Sequence, residues 1–148
     1  MRKLSIVLVS IAMAVVAAGC GSSGGSSKAA PTKAEFLKQA NAICKAGAKE
    51  LAAKEKAANF DSNTSQDKVV AFVKSTTAPS IRKQIADVKA LGFPKGDEAT
   101  LTKVLDDSDA MAAKLGADPA KYMAGADPFA DLDKQLTKYG LTACGSDD

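Results

Sequence analysis

The chain has 148 residues, which is enough for one domain. Five Phe, two Tyr and no Trp leave it poor in the aromatic residues that recur in β-sandwiches, so the composition favours helices. The net charge of +3 falls to +1 when Arg2 and Lys3 are assigned to a leader. Lysines and acidic residues are interspersed, so the charge does not indicate a nucleic-acid-binding protein.

The N-terminus has the pattern of an export signal. Arg2 and Lys3 precede an apolar stretch over residues 4–16, and a membrane-spanning helix needs a longer run of about 20 residues. The small residues at 17–19 then lead directly to Cys20. This order of positive, apolar and small residues predicts a signal that is cleaved.

The sequence Ala-Ala-Gly-Cys at 17–20 resembles the lipobox of bacterial lipoproteins, although Ala17 stands where Leu is commoner. The resemblance implies that diacylglycerol alkylates the Cys20 thiol and that a dedicated peptidase removes residues 1–19. Lipid on Cys20 would anchor the protein on the extracytoplasmic face of the cell membrane, since two acyl chains hold a protein stably. An uncleaved anchor would need a longer apolar stretch, and an ordinary secretory signal would not explain the cysteine.

Residues 20–31 are predicted to be a tether. Positions 21–30 read GSSGGSSKAA, a Gly/Ser-rich composition without large apolar residues, which is typical of a flexible coil. Ten such residues reach roughly 15–20 Å. The tether would separate the domain, residues 32–148, from the lipid headgroups.

The first helix is predicted over residues 32–58. Thr32 and Glu35 have the spacing of a capping box. Apolar or small residues then recur every three or four positions and form one stripe. Its members are Phe36, Ala40, Ile43, Cys44, Gly47 and Leu51.

A second helix is predicted from about Thr64 to Leu91, with the same apolar phase on both sides of Pro79. Unbroken phase favours one long kinked helix, although proline removes a hydrogen bond and crowds the preceding turn. The alternative is a stop at Ala78 and a restart capped by Thr77. Gly92 suits the C′ position after this helix.

A third helix is predicted over residues 95–115, ended by Gly116, with acidic residues in its first turn. The two Ala-Asp-Pro echoes at 117–119 and 126–128 then predict a short helix over 119–124 and a last helix over 128–139, each with Asp as N-cap and Pro at N1. The predicted fold is all-α, an antiparallel up-and-down bundle of about four main helices.

Two cysteines remain if Cys20 carries lipid. Cys44 lies on the apolar stripe of the first helix and Cys144 follows the last helix. Oxidising export compartments favour a disulfide between them. A redox-active or ligand-binding thiol is a weaker alternative, because there is no Cys-x-x-Cys pair and no histidine, and a free Cys44 in the core is another.

Three segments carry a resemblance to a group of small uncharacterised helical lipoproteins of high-GC Gram-positive bacteria. They are KAEFLKQANAIC at 33–44, APSIRKQIADVKALGFPKGDEA at 78–99 and KYGLTACG at 138–145. The resemblance covers most of the mature chain. It implies a helical bundle and a Cys44–Cys144 pair, and it implies no activity.

No catalytic, metal or cofactor site is predicted. The chain has no histidine, which removes the commonest general base and metal ligand. Aspartates cluster at 106–109 and 127–133, but in helical phase and without the alternating pattern of a calcium loop, so most are expected to face solvent or cap helices. Arg82 is expected on an exposed face; the alternatives are an anion site and a pair with an aspartate of the third helix.

The sequence therefore favours a non-enzymatic envelope protein that binds another envelope component, protein or small molecule, and no nucleic acid. A solute-binding protein with a pocket between helices is the first alternative. An enzyme that uses only carboxylates is a remoter one. An inter-helix cavity above roughly 300 Å³ would favour solute capture, and an exposed apolar patch of several hundred Å² would favour a protein partner.

Overall fold

The computed structural model describes residues 29–145, and all regular structure in this part of the chain is helical. The predicted all-α bundle is confirmed. The predicted signal peptide, Cys20 and most of the tether lie outside the described residues. The elements in chain order are α1 (Lys33–Ala58), α2 (Gln66–Phe72), a π-helical turn (Val73–Thr77), α3 (Ala78–Lys89), α4 (Glu98–Ala117), α5 (Pro119–Met123) and α6 (Ala130–Tyr139).

Helix α1 begins at the predicted capping box. The backbone N–H of Glu35 donates to Thr32 Oγ1 at 3.3 Å, and the Thr32 N–H donates to Glu35 Oε2 at 2.9 Å. These bonds satisfy two backbone donors that the first helical turn leaves free. The Thr32 hydroxyl also donates to Glu35 Oε2 at 2.7 Å. This bond and the one from the Thr32 N–H lower the pKa of the Glu35 carboxyl, because both stabilise its charged form.

The second predicted helix is continuous from α2 to α3. The Ala78 N–H donates to the Val73 carbonyl, five residues back, and Thr77 has helical φ and ψ without a side-chain cap. The prediction of one helix that continues through Pro79 is therefore confirmed. The alternative, in which a new helix begins with Thr77 as its cap, is not observed. A π-helical turn widens the helix just before the proline, which has no N–H to donate.

Two glycines have roles other than those predicted. Gly116 was predicted to end the third helix, but α4 continues through it to Ala117. Gly116 instead allows close packing against α3, because a Cβ there would lie 3.1 Å from the Ala78 Cβ. Gly92 has a φ of 74°, but it lies one position beyond C′, since Ala90 is the C-cap. Both differences arise because helices fray or extend by a few residues with tertiary contacts.

The Ala-Asp-Pro echoes behave differently from one another. Asp118 caps α5 as predicted, accepting the Lys121 N–H at 3.2 Å. Asp127 instead accepts the Phe129 N–H at 2.8 Å and forms a turn, so α6 begins at Ala130 rather than at residue 128. A side-chain bond two residues along the chain is an alternative to a helix start.

Contacts between the helices show that successive long helices are antiparallel. The start of α1 meets the end of the α3 region at Phe36 and Phe93, and its far end meets α2. Two ion pairs join α3 to α4: Lys89 pairs with Asp106, and Arg82 pairs with Asp109. The residue number falls along α3 as it rises along α4, so the two helices are antiparallel. The end of α6 returns to the start of α4, where the Tyr139 hydroxyl donates to Asp97 Oδ2 at 2.6 Å.

The main hydrophobic cluster lies toward one end of the bundle, and the start of α3 and the end of α4 add the buried residues Ala78, Ala112 and Leu115. Its buried members come from α1, α3, α4, α6 and the segment after α6. They are Phe36, Ala40, Cys44, Ile85, Val88, Leu101, Val104, Leu105, Leu136 and Leu141. The Phe36 ring, which is fully buried, stacks edge-on against Phe93 and Tyr139. Burial and the bond to Asp97 raise the pKa of the Tyr139 phenol above its ordinary value.

Residues 45–77, called the arm below, extend beyond this core. None of them is buried, although the predicted apolar stripe of the first helix continues into the arm at Leu51. Phe60 and Phe72 stack edge-on with centroids 5.0 Å apart, and the Lys68 ammonium donates to the Ala58 carbonyl at 3.1 Å. The base of the arm packs on the bundle, because Gly47 lies against Gln84 of α3 and the π-helical turn contacts α4. Its tip is held by the Phe60–Phe72 stack and the Lys68 hydrogen bond.

Asn41 fastens the C-terminal segment to α1. Its Nδ2 donates to the carbonyls of Leu37 at 2.9 Å and Gly140 at 3.0 Å, and its Oδ1 accepts the Ala143 N–H at 2.8 Å. Gly140, with a φ of 112°, ends α6 and turns the chain toward these groups. The half-buried amide therefore pairs with polar backbone atoms of two separate segments.

Substituting Asn41 with alanine is expected to destabilise the domain by about 1–3 kcal/mol, because the Gly140 and Ala143 backbone groups lose their partner. Urea unfolding measures this change, and hydrogen exchange should show faster exchange of the Ala143 amide. Gln135→Ala is the matched control, since its exposed amide bonds only to Asp131 O one turn back. Equal losses for both variants would contradict the role given to Asn41.

Candidate functional site

Cys44 and Cys144 form a disulfide bond, with sulfur atoms 2.04 Å apart. The pairing agrees with the sequence prediction and joins the middle of α1 to the segment after α6. Cys44 is buried and Cys144 is partly buried, and the bridge closes a separation of 100 residues. This crosslink lies at one wall of a cavity.

The cavity lies between α3, α4 and α6, is open to solvent on one side and has a volume of about 210 Å³. Three positions of α3 at helical spacing, Ile81, Ile85 and Val88, contribute to one wall. Leu105 of α4 and Leu136 of α6 face them. These side chains belong to the apolar stripes predicted for each helix, so the cavity is a gap in the same apolar interface that forms the core.

Two polar side chains reach the cavity from the helices. The Ser108 hydroxyl is buried and donates to the Val104 carbonyl at 2.8 Å, so its donor is satisfied within α4. Gln84 lines both this cavity and an open groove of about 430 Å³ between α1 and α3. A Cβ at Gly47 would lie 2.1 Å from Gln84 Cδ, so this glycine makes room for the glutamine.

Acidic side chains mark the outer part of the cavity. Asp127, in the turn before α6, is exposed, and Asp133, on α6, is partly buried. None of the described residues that line the cavity is basic. Lys134 and Lys138 border an adjoining open groove, where the Lys134 ammonium pairs with Asp131 at 3.1 Å. The cavity thus joins an apolar interior to a mouth with two carboxylates.

The aspartate cluster at 106–109 is not part of this site. Asp106 and Asp107 pair with Lys89 and Lys103. Asp109 accepts from Arg82 Nε at 2.9 Å and from Nη2 at 3.2 Å, which realises the predicted alternative of a pair with an aspartate of the third helix. The adjacent guanidinium lowers the pKa of the Asp109 carboxyl. These pairs lie on solvated faces, where each contributes little to stability.

Neither a metal centre nor a membrane span is found in the described part of the chain. Within residues 29–145, no three His, Cys, Asp or Glu side chains are grouped so that they would hold a metal ion. No helix in this range is long and apolar enough to cross a bilayer. Comparison with protein-family models, with curated proteins and with solved structures gives no match.

The sequence analysis predicted the disulfide but did not predict the cavity. The disulfide followed from a count of cysteines, whereas the cavity depends on where α6, which packs on α4, lies relative to α3, an element far away in sequence. Asp127 and Asp133 were expected to cap a helix or face solvent, and the structure brings both to the mouth. The only signal in the sequence was their position beside the apolar stripe of the last helix, which consists of Phe129, Leu132, Leu136 and Tyr139.

Proposed function

We propose that the protein is a lipid-anchored binding module on the extracytoplasmic face of the cell membrane, and that it recognises another envelope component without catalysing a reaction. The leader and the lipobox-like sequence ending at Cys20 support the anchor. The resemblance to small lipoproteins of high-GC Gram-positive bacteria is consistent with this location.

The observation that carries the proposal is the position of the arm relative to the point where the chain enters the domain. The chain enters at Lys33, and the arm lies at the other end of α1, which has 26 residues and is therefore about 39 Å long. A lipid on Cys20 would hold the entry end near the membrane and leave the arm further out. Half-buried apolar side chains of the arm, such as Leu51 and Val70, would then be available to a protein partner.

The non-enzymatic part of the proposal rests on the chemistry of the side chains present. The chain lacks histidine, and the densest group of carboxylates, on α4, is engaged with Lys89, Lys103 and Arg82. A catalytic carboxylate pair needs two environments that push the two pKa values apart. The exposed ion pairs on α4 do not provide such environments.

Substituting Cys20 with serine tests the anchor. The wild-type protein extracted from membranes is expected to have the intact mass of a chain that begins at Cys20 and carries diacylglycerol. The Cys20→Ser protein is expected to leave the membrane fraction, because serine has no thiol to alkylate. A wild-type chain that lacks the lipid would refute the anchor, whatever the fold does.

Photo-crosslinking in living cells tests the arm. A photoreactive residue at Ala52 or Ala71, both exposed on the arm, is expected to give one discrete adduct in lipidated protein. The matched control is Ala113, an exposed alanine on α4, which should not give that adduct. An identical adduct pattern at all three positions, or none at the arm, would contradict recognition by the arm.

Solute capture is the second candidate function, and the cavity between α3, α4 and α6 favours it. Its volume of about 210 Å³ is below the roughly 300 Å³ at which drug-sized ligands are accommodated. The cavity therefore suits a ligand with a single ring or a short branched chain.

A further inference from the structure

The cavity between α3, α4 and α6 has the size of a binding site for one small organic group. An engineered cavity of about 150 Å³ lined by aliphatic and aromatic side chains binds benzene. The cavity here, at about 210 Å³, has space for a six-membered ring and a short substituent. Its walls match such a group chemically, because Ile85, Val88 and Leu105 present hydrocarbon.

The polar side chains inside the cavity already have hydrogen-bond partners and do not need one from the ligand. The Ser108 hydroxyl is already bonded to the Val104 carbonyl, and Gln84 Nε2 contacts the Ser80 carbonyl at 3.4 Å. No buried side-chain nitrogen or oxygen among the described residues is without a hydrogen bond. An apolar group can therefore enter without leaving a buried polar atom unpaired, which is the main cost of filling a polar cavity.

Charge at the mouth selects the rest of the ligand. Asp127 lines the cavity, and no lysine or arginine among the described residues does so. Asp127 Oδ1 accepts the Phe129 N–H, an interaction that keeps the carboxylate at the start of α6 and leaves its Oδ2 available to a cation. An ammonium group in this position would gain a charge-assisted hydrogen bond.

We propose that this cavity binds a small organic amine whose compact apolar body lies between α3, α4 and α6 and whose ammonium group meets Asp127. The inference deepens the second candidate function and rests on it. It does not depend on the lipid anchor or on the arm, because every residue of the site belongs to the folded core end. The two proposals can therefore fail separately.

The test uses the mature chain from residue 20 onward, with Cys20→Ser so that no lipid or detergent takes up the probe. Calorimetry and amide chemical shifts compare phenethylamine with its neutral analogue 2-phenylethanol. We expect saturable binding of both probes, with phenethylamine tighter by up to about fivefold, which corresponds to the roughly 1 kcal/mol that an ion pair with an exposed carboxylate can contribute. The shifts should map to Ile85, Leu105 and Leu136.

Variants separate the ring site from the charge site. Asp127→Asn should reduce phenethylamine affinity to that of 2-phenylethanol and leave the neutral probe unchanged. Asp131→Asn is the matched control, because Asp131 is on the same helix and pairs with Lys134 outside the cavity. It should change neither affinity.

A variant with a filled cavity completes the test. Ser108→Leu adds volume on the cavity wall and should abolish binding of both probes, with thermal unfolding used to verify that the variant folds. Equal affinity for the charged and neutral probes would overturn the role of the Asp127 carboxylate. Absence of saturable binding, or unchanged binding in folded Ser108→Leu protein, would overturn the site itself. Neither of these results would affect the Cys20 or arm experiments.

Discussion

Replacing both Cys44 and Cys144 with alanine is expected to lower the free energy of unfolding by about 2–5 kcal/mol. The bridge spans 100 residues, and closing so long a loop restricts the unfolded chain by roughly 4–5 kcal/mol in the chain-entropy description. A domain of this size has a total stability of only about 5–15 kcal/mol. The midpoint of thermal unfolding should therefore fall by about 10–20 °C.

Reduction of the parent protein is the control for this double variant. Cys20→Ser is included in every sample, so that the third thiol cannot exchange with the bridge. Reductant should lower the midpoint of the parent protein toward that of the variant and leave the variant itself unchanged. If reductant leaves the parent's midpoint where it was, the bridge does not stabilise the domain.

The loss of the bridge should also loosen the C-terminal segment before the whole domain unfolds. Besides the bridge, residues 140–145 are held by Asn41, by the buried Leu141, and by the Thr137 hydroxyl, which donates to the Gly145 carbonyl at 3.1 Å. Hydrogen exchange is therefore expected to rise first at Ala143 and Cys144. The helices of the core should respond later, because most of their contacts do not involve the bridge.

Phe36→Ala is expected to destabilise the domain by about 3–5 kcal/mol, the range measured for large aromatic truncations in cores. Phe36 is fully buried where α1, the loop before α4 and the end of α6 converge. Its ring centroid lies 6.0 Å from that of Phe93 and 6.4 Å from that of Tyr139, so truncation also removes two edge-on aromatic contacts. Chemical unfolding monitored by far-UV circular dichroism measures the loss.

Phe60→Ala is the matched control, because the same truncation is made in the arm. Phe60 is only partly buried and has one aromatic neighbour, Phe72, at 5.0 Å. We expect a cost of about 1–2 kcal/mol, since less surface returns to water. Similar costs for the two variants would mean that the arm is as tightly packed as the core, contrary to the burial pattern.

Local chemistry made much of the fold predictable. The start of α1 follows from Thr32 and Glu35, whose side chains satisfy the backbone of the first turn wherever the helix lies. The start of α5 follows in the same way from Asp118 and the proline after it. Apolar residues at helical spacing predicted four main helices, and short loops between them predicted antiparallel neighbours.

Burial was less predictable, because periodicity shows which face of a helix is apolar but not what lies opposite. Phe36 and Leu51 belong to the same predicted stripe of the first helix. Phe36 is fully buried under three elements, whereas Leu51 lies in the arm, where no residue is buried. The difference depends on the lengths of the partner helices and on where α4 and α6 end.

The sequence by itself determined the all-α class, the helix caps, the export signal as a prediction and the two cysteines available for a bridge, since each depends on residues close in the chain or on a simple count. Only the tertiary structure decided that Gly116 packs against α3, that Asn41 holds the C-terminal segment, and that Asp127 and Asp133 border an apolar cavity. The physical reason is that each feature is a contact between two segments distant in sequence. The residues of one segment do not determine how far away the other lies or what shape it presents.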